Sequence, residues 1–127
     1  MKKTKLKKKS KSRISLLKRK LWEVFSKYIR KRDKNICFTC GRNGEGKGMH
    51  AGHFIPKSVG GITLYFNEEN VNAQCYNCNI NLGGNQYVYG KKLGKKAEKL
   101  YKLKGTIAKW TEEDYIKKTA FYTNEIS

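Results

Sequence analysis

The chain has 127 residues, of which 38% are hydrophobic, and it carries 29 Lys and Arg against 10 Asp and Glu. This length allows a single domain with a small core, and a structural metal ion could stabilise such a domain. The formal net charge of +19 is more than solubility requires, so we expect a polyanionic partner, with nucleic acid preferred over an anionic membrane surface. No apolar run is long enough for a signal peptide or a transmembrane helix. We therefore expect a cytoplasmic protein whose cysteines stay reduced.

Basic residues are concentrated at the N-terminus. Residues 1–13 contain no acidic residue, and a run of this charge cannot pack into a core, so we predict a disordered tail that contacts DNA phosphates. Residues 14–127 form the predicted single domain. The predicted phosphate-binding residues of the tail are Lys2, Lys3, Lys5, Lys7, Lys8, Lys9, Lys11 and Arg13.

A helical pattern follows the tail over about residues 14–32. Leu17, Leu21, Phe25 and Tyr28 recur at spacings of four and three, which predicts an amphipathic helix with an apolar, aromatic face. We expect this face to pack into the core. The same face could instead join two copies of the chain, so a homodimer is a second use of the helix.

The four cysteines occur as two Cys-x-x-Cys pairs, Cys37 with Cys40 and Cys75 with Cys78. Each such pair can hold one ion from two positions of a tight turn, and two pairs complete a tetrahedron of thiolates. The spacing therefore predicts a structural zinc ion that clamps the segment between the pairs. Two alternatives stay open: free or redox-active thiols, and a zinc site in which His50 replaces one cysteine.

The segment that includes the second pair has a strand–strand–helix pattern. We predict short strands at 49–55 and 71–74 and a loop at 57–61. A short helix is predicted from 75 to about 89, although Gly83 and Gly84 weaken it and could end it sooner. The predicted fold class is therefore α+β, with a small zinc-stapled core.

Further helices are predicted to flank this core. Residues 95–104 suit a basic helix, and Thr111 to Asp114 resembles a capping box, with Asp in place of Glu, that opens another helix. We expect these helices to complete the core.

Polar residues within the segment could cleave a phosphodiester. That reaction needs a general base for water and a divalent cation with oxygen ligands. His53, near the end of the first strand, is the candidate base, acting near its ordinary pKa so that the rate rises through about pH 6 to 7. Asn79 is the candidate ligand of a catalytic Mg²⁺ or Mn²⁺. Asn70 could bond to backbone or orient His53, and Lys57 could hold the DNA strand.

These candidates have structural alternatives. His53 could be a satisfied structural histidine, and Asn79 could only cap its helix. The two interpretations differ in whether a divalent cation produces cleavage.

The same residues resemble known nuclease motifs. His53-Phe-Ile-Pro56, Asn70-Val71 and Cys75-x-x-Cys78-Asn79 resemble the HNH (ββα-metal) motif, with Asn as its third letter, and the arrangement is similar to phage endonuclease VII. A wider set resembles the NinG (Rap) recombination proteins of lambdoid phages: Leu21-Trp22, Tyr28 to Arg30, Cys37-x-Thr-Cys40-Gly41, Met49 to Phe54, Asn67 to Asn70, Cys75-x-x-Cys78-Asn79 and Gly84-Asn85.

The resemblance implies an HNH-like core and an endodeoxyribonuclease of HNN type. Its implied substrates are branched recombination intermediates such as D-loops and Holliday junctions, in the cytoplasm of a phage-infected or prophage-carrying bacterium. Many HNH enzymes carry Asp or His just before the base, where this chain has Gly52. Either Asn79 holds the cation with phosphate and water, or His50 supplies a second ligand. The alternative function is a non-catalytic, zinc-stapled accessory protein that binds nucleic acid.

Overall fold

The computed structural model describes residues 2–44 and 48–127, with side chains from residue 13 onward. This part of the chain is a mixed α+β structure around a two-stranded sheet. None of the described helices combines the length and the apolar composition that crossing a membrane requires. In chain order the elements are α1 (Lys2–Arg32), β1 (Met49–His53), α2 (Lys57–Tyr65), β2 (Val71–Cys75), one π-helical turn (Asn77–Asn81), α3 (Gln86–Leu93), α4 (Lys95–Leu103) and α5 (Glu112–Ile126).

Helix α1 begins at Lys2, whereas the sequence predicts a helix from about residue 14. Lysine has a high intrinsic helix propensity, so a helix that is stabilised by packing further along can continue through the basic segment. The disorder of residues 1–13 in the free chain stays a prediction. The apolar face is confirmed, because Leu21, Phe25 and Ile29 are fully buried.

The buried face of α1 packs against α5 and the sheet. The rings of Phe25 and Tyr122 meet edge-on with centroids 5.0 Å apart, and Ala51 and Val71 of the two strands belong to the same apolar cluster. This face is therefore used within the chain. A homodimer, which stays a prediction, would need a different surface.

The two strands are antiparallel, with His50 opposite Gln74 and Gly52 opposite Asn72. Because side chains alternate between the faces of a strand, these four positions share one face of the sheet. Tyr89 of α3 reaches that face, where its hydroxyl accepts a hydrogen bond from Asn72 Nδ2 at 3.1 Å and donates to the Gly52 carbonyl at 2.7 Å. The opposite face packs on α1.

The loop predicted at 57–61 is wrong, because α2 begins at Lys57 and continues to Tyr65. The helix is interrupted at Gly61, whose φ of 68° and ψ of −166° are not helical. Glycine adopts a positive φ without steric penalty. Gly61 therefore joins two short helical segments at a kink.

The helix predicted from 75 to about 89 is divided in two. The π-helical turn Asn77–Asn81 is followed by a reversal at Gly83 and Gly84, which have φ values of 57° and 94°. Helix α3 then starts at Gln86. Positive φ values cannot continue a right-handed helix, so the glycines end the first segment.

The flanking elements agree more closely with the prediction. Helix α4 covers Lys95–Leu103. The capping box is confirmed, because the backbone N–H of Thr111 donates to the Asp114 carboxylate at 2.8 Å and the N–H of Asp114 donates to Thr111 Oγ1 at 3.2 Å.

Candidate metal site and nucleic-acid interface

The four cysteine sulfurs form one cluster. All four Sγ atoms lie within 4.8 Å of one another, and those of Cys40 and Cys75 are 3.7 Å apart. Sulfurs around a tetrahedral zinc ion are about 3.8 Å apart, given a zinc–sulfur distance of about 2.3 Å. The cluster therefore fits one zinc ion held by all four cysteines, as the sequence predicts, without a contribution from His50.

Hydrogen-bond donors converge on the sulfurs. The backbone N–H groups of Cys40 and Cys78 donate to Sγ of Cys37 and Cys75 at 3.5 and 3.4 Å. Burial alone would raise the pKa of the Cys37 thiol, but hydrogen bonds from Thr39 and from backbone amides bring it down to about 6. Such donors favour the thiolate, which is the form that binds zinc.

The cysteine cluster positions Asn79, which follows Cys78 in the π-helical turn. The Asn79 side chain reaches back to β1, where Nδ2 donates to Nδ1 of His50 at 3.0 Å. Because Nδ1 accepts this hydrogen bond, the neutral imidazole carries its proton on Nε2. Two side chains that can ligate a metal, one from β1 and one from the π-helical turn, are thus in direct contact.

A cavity of about 370 Å³ lies between α1 and this pair. Its walls include His50, Asn79 and three residues at successive i, i+4 positions of α1, namely Trp22, Ser26 and Arg30. Arg30 Nε donates to the Ser26 carbonyl at 3.2 Å, so the guanidinium is anchored through one of its five N–H groups. No carboxylate lines the described cavity. A guanidinium beside metal-ligand atoms suits a phosphate group.

Gly52 lies next to this pair and has no room for a side chain. A β-carbon at this position would lie 2.0 Å from Gln74 Oε1 and 3.0 Å from Asn79 Oδ1. Gln74 is held in place, because Nε2 donates to the Gly84 carbonyl at 2.8 Å and to Thr39 Oγ1 at 3.2 Å. Gln74 Oε1 is buried and has no hydrogen-bond partner among the described residues. Two amide oxygens therefore occupy the space that a side chain at position 52 would need.

The predicted base, His53, does not line this cavity. Its Nε2–H donates to the Tyr65 carbonyl at 2.9 Å, and its ring stacks on Trp22 and Tyr65 with centroids 5.1 and 4.6 Å away. Burial lowers the pKa of His53 below its ordinary value of 6.5, and the hydrogen bond to the carbonyl opposes this shift only in part. The predicted titration near the ordinary pKa is therefore displaced to lower pH.

The two histidines point to opposite sides of β1, because they are three positions apart on a strand. His50 and Asn79 both line the cavity. His53 does not line it, but its ring stacks on the indole of Trp22, which is one of the lining residues. In its neutral form His53 has a lone pair on Nδ1. That atom has no hydrogen-bond partner among the side chains and backbone that the structure describes.

Asn70 is fully buried and bonds only to backbone. Its Oδ1 accepts from the Ile55 N–H at 2.8 Å, and its Nδ2 donates to the carbonyls of Ile55 and Leu64 at 2.9 Å each. Asn70 therefore stabilises the segment between the strands by bonding to its backbone, which is the first of the two roles predicted for this residue. Among the described residues, its side chain forms no hydrogen bond with His53, so the second predicted role is not observed.

Among the predicted DNA-binding residues, the structure describes the side chains of Lys57 and Arg13. Lys57 Nζ lies 5.4 Å from the centroid of the Tyr65 ring, close to His53. Arg13 Nε lies 3.5 Å from Glu112 Oε2 in an exposed ion pair, which contributes little to stability. The side chains of the tail lysines, residues 2–11, lie outside the described part of the chain.

The sequence reasoning missed Trp22, Ser26, Arg30 and Gln74 as members of the site. The first three form one row of α1 at a spacing of four, beside the buried row of Leu21 and its neighbours. The presence of an aromatic and a basic residue on the row next to the buried face could have indicated that this row lines a binding site.

These features define a small α+β protein with a four-cysteine site suited to a metal ion and a basic cavity next to it. A family model described as "Bacteriophage Lambda NinG protein" matches residues 1–127, so the chain belongs to the NinG family. Neither curated proteins nor solved structures gave a match.

Proposed function

We propose that this protein is a metal-dependent endonuclease of the HNH type that cleaves DNA, with branched recombination intermediates such as D-loops and Holliday junctions as its substrates. The observation that carries the proposal is the contact between His50 and Asn79 in a cavity shared with Arg30. Two ligand side chains and a guanidinium around one cavity suit a phosphate and a divalent cation. The net charge of +19 supports a polyanionic substrate.

The choice of branched DNA is supported by family membership. The chain belongs to the NinG family, and its motifs resemble those of phage recombination proteins and of endonuclease VII. The proposal therefore assigns the protein to DNA recombination in a phage-infected or prophage-carrying bacterium.

The catalytic cation would be held by His50 Nδ1 and Asn79 Oδ1 after the Asn79 amide turns, because in the structure Nδ2 of that amide donates to the same imidazole nitrogen. A divalent cation supplies charge that stabilises the scissile phosphate and the leaving oxygen. An imidazole nitrogen paired with an amide oxygen suits Mn²⁺ better than Mg²⁺, which prefers oxygen ligands throughout. Phosphate oxygens and water would complete the ligand set.

His53 acts as the general base in this proposal. Its Nε2–H is fixed by the Tyr65 carbonyl, so the neutral ring accepts a proton from water at Nδ1. Arg30 neutralises charge on the phosphate, and Trp22 lies between the two histidines as one wall of the cavity.

A non-catalytic, zinc-stapled accessory protein that binds nucleic acid is the second candidate. One observation favours it: His53 is packed on Trp22 and Tyr65 and does not line the cavity. A histidine that only completes an aromatic cluster would have the same surroundings.

The deciding experiment incubates the full chain with end-labelled linear, nicked and four-way DNA, in Mn²⁺, Mg²⁺ or a chelator. We expect metal-dependent cleavage, strongest on the branched substrate, that His53→Ala reduces by about 10²-fold or more. Asn77→Ala, an exposed change outside the cavity, is the matched control.

Two results would change the assignment. If His53→Ala cleaves as fast as the wild-type chain, His50 becomes the candidate base. If no metal produces cleavage of any of the three substrates, the accessory-protein function replaces the nuclease.

A further inference from the structure

Two ammonium groups from different helices converge on one aromatic ring. Lys18 Nζ of α1 and Lys57 Nζ of α2 lie 5.9 and 5.4 Å from the centroid of the Tyr65 ring. The same ring stacks on His53 with centroids 4.6 Å apart. Attraction between a cation and the face of an aromatic ring can hold each ammonium in place.

No ion pair offsets the charge of these two lysines in the part of the chain that the structure describes. Burial, and then the neighbouring Lys57, lower the pKa of Lys18 to about 8. Two cations that repel each other at a fixed place are stabilised by an anion between them.

We propose that Lys18 and Lys57 together bind one phosphate of a nucleic-acid strand, immediately beside His53. The identity of the strand rests on the proposed function. Lys18 is not among the DNA-binding residues that the sequence predicts, and both lysines would contact the same phosphate.

The placement of Lys18 on α1 supports a continuous path for the strand. Lys18, Trp22 and Arg30 lie on one row of the helix, because their positions differ by multiples of four. Lys18 and Arg30 are about 18 Å apart along the axis, at a rise of about 1.5 Å per residue. This length matches about five nucleotides of one B-form strand. A strand held at both ends of the row would pass Trp22, which stacks on His53 and lines the cavity of His50.

The first test uses inorganic phosphate as the probe and the full, zinc-loaded chain labelled at the lysine ε-carbons. We expect the NMR signals of Lys18 and Lys57 to shift together and saturate, and Lys18→Met to remove the shift at Lys57. Lys20 and Lys27, exposed lysines of the same helix, are the controls, and a melting curve checks that Lys18→Met is folded. Shifts that do not saturate, or that are equal at the controls, overturn the phosphate site.

The second test asks whether the phosphate belongs to nucleic acid. A single-stranded oligonucleotide is bound by the wild-type chain, Lys18→Met, Lys57→Met and the double variant over a range of salt. The measured quantity is the slope of the logarithm of the binding constant against the logarithm of the salt concentration. The double variant should lower the magnitude of this slope by about 0.7, the value for one phosphate of a single strand. Because the lysines share that phosphate, each single variant should already cause most of the loss. Additive losses indicate two separate contacts and overturn the shared site.

Neither readout requires cleavage, so both remain valid if the nuclease proposal fails. Saturable phosphate shifts without any effect on oligonucleotide binding would assign the pair to a free anion and overturn the nucleic-acid assignment.

Discussion

Asn79 Nδ2 lies 3.0 Å from Nδ1 of His50. This contact joins the residue that follows the last cysteine to the first strand of the sheet. The geometry of the candidate site therefore depends on the cysteine cluster, because the cluster fixes the turn that carries Asn79. Loss of zinc should disturb both the fold and the site.

Zinc removal should unfold the protein. Structural zinc contributes about 10–16 kcal/mol in small domains, and its ligands are brought together only by folding. We expect one zinc ion per chain by elemental analysis, and loss of the cooperative melting transition after chelation or in Cys75→Ser. Asn81→Ser, an exposed change in the same turn, should leave both properties unchanged. A normal melting transition in zinc-free protein would contradict this prediction.

Removal of either candidate metal ligand should weaken metal binding. In His50→Ala and Asn79→Ala we expect slower cleavage that higher Mn²⁺ partly restores, because the remaining ligand still holds the cation. DNA affinity without metal should change little. The measurement is the cleavage rate as a function of Mn²⁺ and Mg²⁺ concentration, with Asn77→Ala as control. Equal rates in wild type and both variants at limiting Mn²⁺ would remove these residues from the metal site.

The cleavage rate should rise with pH and level off, with its midpoint below 6.5. Burial lowers the pKa of His53 below that ordinary value, so the neutral, proton-accepting form is already present at lower pH. The pH–rate profile at saturating metal measures this midpoint. A midpoint clearly above 6.5 would argue against His53 as the base.

The same shift predicts a pH-dependent stability. At pH values between the lowered pKa and 6.5, the folded chain binds fewer protons at His53 than the unfolded chain does. The free energy of unfolding therefore has its full value above pH 6.5, and the contribution of His53 is lost as pH falls through the pKa of the folded chain. Urea unfolding of wild type and His53→Gln should differ in this window. Parallel pH profiles for the two proteins would show that His53 is not buried in solution.

Gly52→Ala should destabilise the fold. The new β-carbon would lie 2.0 Å from Gln74 Oε1, and the Gln74 side chain cannot move away without breaking its bonds to Gly84 and Thr39. Overpacking of this kind typically costs about 1–3 kcal/mol in the free energy of unfolding. Gly105→Ala is the matched control, since no atom lies within 4 Å of its β-carbon. Equal unfolding free energies for the two variants would contradict the packing argument.

Deletion of residues 1–13 should weaken binding to all DNA sequences alike. The deleted segment carries seven lysines and Arg13, and each phosphate contact that is lost flattens the dependence of affinity on salt. Cleavage chemistry should survive. A full-length variant with the seven lysines changed to glutamine separates charge from chain length, and an unchanged salt slope in both would mean that the tail does not touch DNA.

The sequence by itself determined the features that depend on short-range spacing. The cysteine cluster follows from two tight turns, each with two thiols, and the Thr111–Asp114 capping box closes within one helical turn. The apolar face of α1 follows from its own periodicity. In each case the interacting groups are close in the chain or are drawn together by a single ion.

Only the tertiary structure decided which side chains meet in the candidate site. The sequence favoured His53 as the general base and offered His50 only as a possible metal ligand, but the alternation of β1 turns His50 toward Asn79 and His53 toward Trp22 and α1. Arg30 lines the cavity because of how α1 is rotated on the sheet, which is set by the burial of its neighbouring row. Such contacts depend on packing between elements distant in the chain, and no local pattern encodes their orientation.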